Sequence, residues 1–349
     1  MSVLTLFSIV SWSICGLAIT IVVALVIYSS WAKYRAAVRN LARERYIELL
    51  KAGAEKPEGR ATMLADDVMT DLAVDLLELV RGDEKARFAE RVARVGAVAR
   101  LHERLRRGNV RVRVLAAAAL ASFHDIDTQN ALTEALHDRN PRVGRVAALS
   151  LAAIGRSPAP KEVIQRLRIG EHEASLLIVM LLVGMAQSDV ESVRSLLLDP
   201  DTSNDLKAAT AEALALCNDV AAVPAISRLA MDADPGASEL PHYLVALAAI
   251  QHPAGSPAVL HWLNASSDRV RAAAARAAGR IGVEPALDRL EHLLGDSDWW
   301  VRFQAARALL RFGEQGQSRL NLAAAGNEEP ARETASLMIA EHAEQADAA

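Results

Sequence analysis

Aromatic residues make up only 4% of this 349-residue chain, although apolar residues reach 52%. The excess is carried by Ala and Leu, the best apolar helix formers, whereas Val, Ile and aromatics favour strands. Such a composition points away from a β-rich body and toward an all-α protein of closely packed small-residue helices. Cysteine is nearly missing. Cys15 lies in an apolar run and Cys217 in an Ala/Leu helix, which excludes a disulfide framework or a cysteine-based metal cluster. The sequence also lacks a phosphate-binding glycine loop, a GxSxG elbow and any zinc-spaced Cys/His group. No catalytic residues, cofactor or metal are therefore expected, and the chain reads as a non-enzyme.

A different absence marks the N-terminus. The first 32 residues carry no charged side chain and no His, and Val3 to Tyr28 is an uninterrupted, mainly apolar stretch of 26 residues. About 20 such residues suffice to cross a bilayer as a helix. A cleaved signal peptide starts with Lys or Arg and has a shorter apolar core, so a retained transmembrane helix over residues 1–30 is expected. Lys33, Arg35, Arg39, Arg43 and Arg45 follow the run directly and nothing basic precedes it. The positive-inside bias then places the N-terminus outside and the remainder in the cytoplasm. Ser13, Gly16, Thr20 and Ala24 recur at spacings of three and four, forming a small-residue strip where a second membrane helix could approach.

The net charge of −4 hides an asymmetry. Residues 33–60 hold eight bases and four acids, 61–80 five acids and no base, 81–113 eleven bases and four acids, and 114–349 twenty bases and thirty acids. The segment nearest the anchor is basic on balance and the distal body acidic, which disfavours a nucleic-acid partner. Arg outnumbers Lys, 33 to 6, and with the Ala excess this hints at a GC-rich bacterial source.

Beyond residue 80 the chain repeats itself. Ser267 to Gly279 reads SDRVRAAAARAAG and Asp298 to Leu310 reads DWWVRFQAARALL. Val270 and Val301 occupy the same slot, as do Val112, Val143, Leu206, Leu240 and Ala331, at a period of about 31 residues. The 63-residue interval from Val143 to Leu206 leaves room for a degenerate copy near 172–176. Three residues before the slot stand the N-cap candidates Asn109, Asn140, Ser267 and Asp298. Twelve after it come Gly155, Asn218, Gly282 and Gly313, residues that tolerate the left-handed backbone closing a helix. Leu136, Leu167, Leu229, Leu263 and Leu294 then anchor a second helix. Two short helices cannot bury their apolar faces alone, so the hairpins must stack.

The Asp/Asn-x-x-Val-Arg start, the Ala-Ala-x-x-Ala-Leu helix and the Ile-Gly end (Ile154-Gly155, Ile281-Gly282) resemble the HEAT family. The likeness is to the short bacterial HEAT-like repeats first recognised in phycobilisome lyases, and it covers residues 84–342. It implies a right-handed α-solenoid of about eight helical hairpins behind the transmembrane helix. The expected order is anchor 1–30, basic juxtamembrane helix and linker 31–62, solenoid 63–342 and a frayed tail 343–349. Some HEAT-repeat proteins hold two irons with four His-Glu dyads, but here only His102-Glu103 and His172-Glu173 occur, at non-equivalent slots. The resemblance implies that Arg113, Lys207, Arg271, Arg302 and Arg332, one past the slot, pair with the adjacent repeat as a ladder.

Partner-binding candidates occupy slots where the repeats vary: Arg145, His242 and Phe303 two past the slot, and Arg276 and Arg307 six past it. Positions two and six share one side of a helix. Trp299 and Trp300 open the same helix as Phe303; packing of both between repeats is expected, and an exposed Trp beside Phe303 would be a binding hot spot. The function expected is a membrane-anchored cytoplasmic scaffold or assembly subunit. Its protein partner would be, for example, an integral-membrane enzyme of a bacterial inner membrane. A lyase-like enzyme acting on a chromophore or protein is the alternative.

Overall fold

A computed structural model of the chain describes residues 63–80, 83–94, 96–167 and 176–347. The apolar stretch Val3–Tyr28, its strip Ser13, Gly16, Thr20 and Ala24, the 31–62 linker and the His172-Glu173 pair lie outside the described residues. Among the described residues there is no strand, and no helix is long and apolar enough to cross a membrane. The chain divides into two compact units, residues 1–131 and 132–349.

In the first unit, α1 (Met63–Leu79) packs on α2 (Asp83–Arg94) and α3 (Ala97–Arg107), and α3 on α4 (Val110–Leu120). Gly96, at φ 83°, turns the chain between α2 and α3. Leu72, Leu77, Val92, Leu101 and Leu105 fill the space between them. At the start of α4 the Asn109 carboxamide oxygen accepts from Val112 N at 3.0 Å, satisfying one of the donors a helix start leaves free, and Asn140, Asp189, Ser203 and Asp298 cap later helices in the same way.

The second unit is a series of hairpins. They are α6 (Pro141–Ala153) with α7 (Pro160–Leu167), α8 (Leu176–Ser188) with α9 (Val190–Ser195), and α10 (Asn204–Leu216) with α11 (Val223–Asp232). Next come α12 (Leu240–Ile250) with α13 (Ser256–Trp262), α14 (Asp268–Ile281) with α15 (Leu287–His292), and α16 (Trp299–Leu310) with α17 (Glu314–Ala324). Helix α18 (Glu329–Asp347) closes the row, and α5 (Ile126–Ala135) lies at the boundary between units. The degenerate copy expected near 172–176 is the α8/α9 pair, and α18 runs on beyond His342 through a segment of good helix formers.

First helices pack on first helices in order: α6 on α8, α8 on α10, α10 on α12, α12 on α14, α14 on α16, and α16 on α18. Their contacting faces are lined with Ala and Gly, so backbones approach closely. A methyl added at Gly279 of α14 would lie 2.5 Å from Ala308 Cα of α16, and one at Gly184 of α8 would lie 3.0 Å from Ala152 Cβ of α6. The slot residues Val143, Leu206, Leu240, Val270, Val301 and Ala331 are all buried.

The helix ends follow from backbone chemistry. Gly155, Asn218, Gly282 and Gly313 all have positive φ. After the first three, the next N–H reaches back five residues (Arg156 to Leu151 O, Asp219 to Leu214 O, Val283 to Ala278 O), absorbing carbonyls the helix leaves open. Gln251 also has positive φ, at 57°, eleven residues after Leu240 instead of twelve. Of the second-helix anchors, Leu136, Leu263 and Leu294 are buried, whereas Leu167 and Leu229 are only half-buried. Beside Leu229, Ile226 and Ala230 take over the core, and Ala230 O accepts from Trp262 Nε1 of the next repeat at 2.7 Å.

Candidate functional site

The arginine after the slot is structural where its bonds are seen. Arg271 donates through Nη1 to Ala265 O and Ser266 O, at 2.9 and 2.8 Å, inside its own repeat. Its Nε and Nη2 grip both oxygens of Asp296 in the following loop at 2.8 Å each. Burial drives the Asp296 carboxyl pKa upward, but the Arg271 fork and the Asp298 N–H outweigh it and hold it below the ordinary value. Arg302 repeats the pattern, bonding Asp296 O at 2.8 Å, Ser297 O at 3.2 Å and the Thr334 hydroxyl of α18 at 3.3 Å. Arg113 bonds Gly108 O at 2.9 Å. The Arg271 and Arg302 links join neighbouring repeats, whereas the Arg113 bond stays within its own.

Other cations are paired along the second helices. Arg194 of α9 forks onto Asp219 at 2.7 and 2.9 Å, Lys161 of α7 meets Asp199 at 2.7 Å, and Arg319 of α17 meets Asp288 and Glu291 of α15. In the first unit a cleft of about 810 Å³ opens between α1, α3 and α4, but its Arg104 is held by Asp71 at 2.6 Å. His102 bonds the Thr128 hydroxyl at 3.0 Å, and Glu103 bonds Arg100 at 2.6 Å and Arg107 at 3.4 Å, so this dyad is engaged in packing. Among the described residues no group of three or more His, Cys, Asp and Glu side chains could hold a metal ion. Cys217 is half-buried, and burial raises its thiol pKa, which disfavours the reactive thiolate.

The variable slots behave differently. Trp299 and Trp300 are 50% and 51% exposed, so the expected packing of both between repeats is corrected. The reason lies in α16 itself. Val301, Ala305, Ala308 and Leu309 occupy the buried side, which leaves positions 299, 300 and 303 on the other. Phe303 stands beside both, with its centroid 5.3 Å from each indole at interplanar angles of 19° and 14°, and the indoles lie 5.8 Å from one another, so the three rings form a triangular cluster. A cluster of three mutually contacting rings half in water is an unusual use of aromatic surface in a chain with so few.

From Phe303 the i+4 ridge of α16 continues through Arg307 to Arg311, both exposed. Arg276, exposed on α14, and Arg280 stand 31 residues before them, so the two pairs lie side by side on adjacent helices. These four arginines and Gln304 line a single cleft of about 40 Å³. His242 of α12 is instead committed to Glu212 of α10, and that bond raises its imidazole pKa above the ordinary value against opposing burial. Arg145 is exposed on α6, with α8, α10 and α12 intervening before α14. Five of the seven predicted partner-binding residues (Trp299, Trp300, Phe303, Arg276 and Arg307) therefore converge on α14 and α16. Sequence reasoning missed Arg280, Gln304 and Arg311, although Arg280 and Arg311 carry the same 31-residue signal.

A family model described as HEAT repeats matches residues 98–174, 242–310 and 256–339. No curated protein matches the chain. Among solved structures, Kap121p bound to Pho4p is 12% identical at a TM-score of 0.47, covering 86% of this chain and 39% of that one. An engineered protein is 18% identical at a TM-score of 0.40, covering 87% of this chain and 94% of its own. The CpcE–CpcF complex of phycocyanin lyase from Nostoc sp. PCC7120 is 21% identical at a TM-score of 0.31, covering 70% and 87%. The chain spans less than half the length of Kap121p.

Proposed function

Because the chain belongs to the HEAT-repeat family, whose solenoids typically mediate protein–protein interaction, we propose that it is a scaffold that holds a protein partner and performs no catalysis. The observation that carries this reading is the Trp299–Phe303–Trp300 stack, exposed on α16 and continuous with the arginines of α14 and α16. Trp and Arg are the residues most enriched at the energetic centres of protein interfaces. Two half-exposed indoles supply a rigid apolar anchor, while the arginines supply directional donors beside it.

The scaffold is tethered to a bacterial inner membrane by Val3–Tyr28, N-terminus outside and repeats in the cytoplasm. The sequence supports this through the length of the apolar run and the basic cluster that follows it. The strip Ser13, Gly16, Thr20 and Ala24 suits contact with a membrane helix of the partner, which favours an integral-membrane enzyme over a purely soluble protein.

Affinity capture from detergent-solubilised membranes tests the reading, comparing the native chain with Trp299→Ala/Trp300→Ala and with Arg307→Ala. A protein held by the native chain and lost from both variants is the expected outcome. Equal recovery of every protein by all three chains would remove α16 from the interface and with it this assignment.

A further inference from the structure

The cleft between α14 and α16 has an uncompensated charge. Every bond given above for Arg271, Arg194, Arg104 and Arg319 ends on a carboxylate or a carbonyl. Among the described residues, none of Arg276, Arg280, Arg307 and Arg311 has a carboxylate within salt-bridge distance. Arg280 Nε is buried without an acceptor. With its amide turned to satisfy both atoms, Gln251 accepts from Arg280 Nη2 and donates to Arg280 O at 3.2 Å each, which still leaves Nε open. Gln304 is only 5% exposed, lines the same cleft, and hydrogen-bonds no described residue. Its amide is not sealed off as Arg280 Nε is; it opens into the cleft, where it can bond a group bound there.

The cleft is locally built for this. Gly279 lets α14 and α16 touch at Ala308, and the arginine pairs flank that point of closest approach. Some of the positive charge offsets the C-terminal dipole of each helix, since Arg280 and Arg307 stand in last turns. That effect is worth about 0.3–1 kcal/mol per charge and extends to Arg311 at the C-cap of α16, but it does not account for Arg276, which stands before the last turn of α14.

We propose that this cleft binds a phosphate monoester carried on a side chain of the protein partner, an inference that rests on reading α14 and α16 as the partner-binding face. Four guanidinium groups match an oxyanion of charge about −1.5 to −2 better than a single carboxylate. Three terminal oxygens accept several forked N–H donors at once, and the Gln304 amide donates to one of them. A volume of about 40 Å³ admits a group of a few heavy atoms. Nucleic acid would need a long basic track, and residues 114–349 hold thirty acids against twenty bases. Charges beyond about 8 Å are screened at physiological salt, so the acidic surroundings do not cancel the four arginines at contact. The ridge 299–303–307–311 runs straight from the indoles to the arginines, at about 6 Å per four-residue step. A peptide lying along α16 would thus seat an apolar side chain on the ring stack and a phosphate in the cleft.

The test is calorimetric titration of the purified full chain in nonionic detergent. The probes are a capped peptide with Leu and phosphoserine three residues apart, the same peptide with Glu or with Ser in place of phosphoserine, and inorganic phosphate. The chains are native, Arg276→Ala/Arg307→Ala, Gln304→Leu, and Arg228→Ala, an exposed arginine of α11, as a control outside the cleft. The expected result is binding of the phosphopeptide that is weakened about tenfold or more by the double substitution and unchanged by Arg228→Ala. Inorganic phosphate should compete with the phosphopeptide but bind more weakly, since it lacks the apolar anchor. Glu peptide binding as tightly as phosphopeptide would overturn the phosphate assignment, and so would phosphopeptide affinity untouched by the double substitution. Loss of phosphopeptide binding by Gln304→Leu alone, with an unchanged thermal transition, would support the role of the buried amide. Because the double variant alters only exposed side chains, it should keep the native helical spectrum. The titration needs no natural partner, so a failure here leaves the capture experiment on Trp299 and Trp300 to decide the scaffold reading separately.

Discussion

Trp300 exposes about half its surface and stacks on Phe303, so truncating it separates folding from binding. An exposed aromatic pair is worth about 0.5–1.5 kcal/mol, whereas a tryptophan at the centre of an interface contributes 2 kcal/mol or more. Trp300→Ala should therefore shift thermal stability by under about 1.5 kcal/mol while weakening partner capture at least tenfold; a larger loss of stability than of binding would make the stack structural. A second residue-scale prediction concerns His242. Its imidazole pKa is raised chiefly by the Glu212 bond, so the pair stabilises the fold below about pH 6.5, the unfolded value. That contribution is lost as pH rises through the higher folded value. Since His242 is half-exposed, the change should be small, but melting temperature measured from pH 6 to 8.5 should fall more for the native chain than for Glu212→Gln. Parallel profiles would show that the pair is not coupled to folding.

Between elements, what decides stability is how closely first helices approach and how the ladder ties one loop to the next. Replacing Gly279 by Ala gains up to about 1 kcal/mol of helix propensity. It also places a methyl 2.5 Å from Ala308 Cα, a backbone atom that cannot step aside, and overpacking of this kind costs about 1–3 kcal/mol. Gly279→Ala should be net destabilising, with faster hydrogen exchange in α14 and α16; a rise in melting temperature would refute the close approach. Asp296→Asn should cost about 2–3 kcal/mol, because it leaves the largely buried Arg271 fork with a neutral acceptor. The Asp296 carboxyl pKa lies below its unfolded value, so its contribution is complete above about pH 4 and disappears as pH falls through the folded value. Acid unfolding of Asp296→Asn should accordingly be shallower below pH 4 than that of the native chain. Much of this element-level structure was legible in the sequence. The caps Asn109, Asn140 and Asp298 bond the N–H groups of Val112, Arg142 and Val301 at 3.0 Å, and a positive φ falls at each of the four places where Gly or Asn stood at the twelfth position, three of them closing the helix by a back-bond. Ser267 stands before its helix without a side-chain bond, because Asp268 takes the Arg269 N–H instead. Gln251 was illegible, since nothing about a glutamine announces a positive φ. The cleft was legible only by half. Periodicity placed Arg276 and Arg307, but Gln304 looks like any polar residue until α14 packs over it. The exposure of both tryptophans was likewise hidden, because a pattern of apolar residues does not say which side of α16 is covered.

For the molecule as a whole, the proposed tether makes predictions that follow from the distribution of charge. Residues 33–60 carry eight bases against four acids and stand directly behind an uncharged run, while residues 114–349 are acidic on balance. Each Lys or Arg near an anionic surface contributes about 1 kcal/mol, an attraction that salt removes, whereas burial of 26 mainly apolar residues is indifferent to salt. The two terms can be separated in one fractionation. The full chain, expressed in bacteria, should sediment with membranes and stay there through high salt and alkaline carbonate. A chain beginning at residue 33 should leave the pellet, or remain only at low ionic strength. Orientation follows from the same charges: protease added outside intact spheroplasts should spare the repeats, and protease added to inverted vesicles should destroy them. Retention of the shortened chain in carbonate would show that the apolar run is not the anchor. Digestion from the outside would reverse the orientation and place the α16 surface where no cytoplasmic phosphoprotein could reach it.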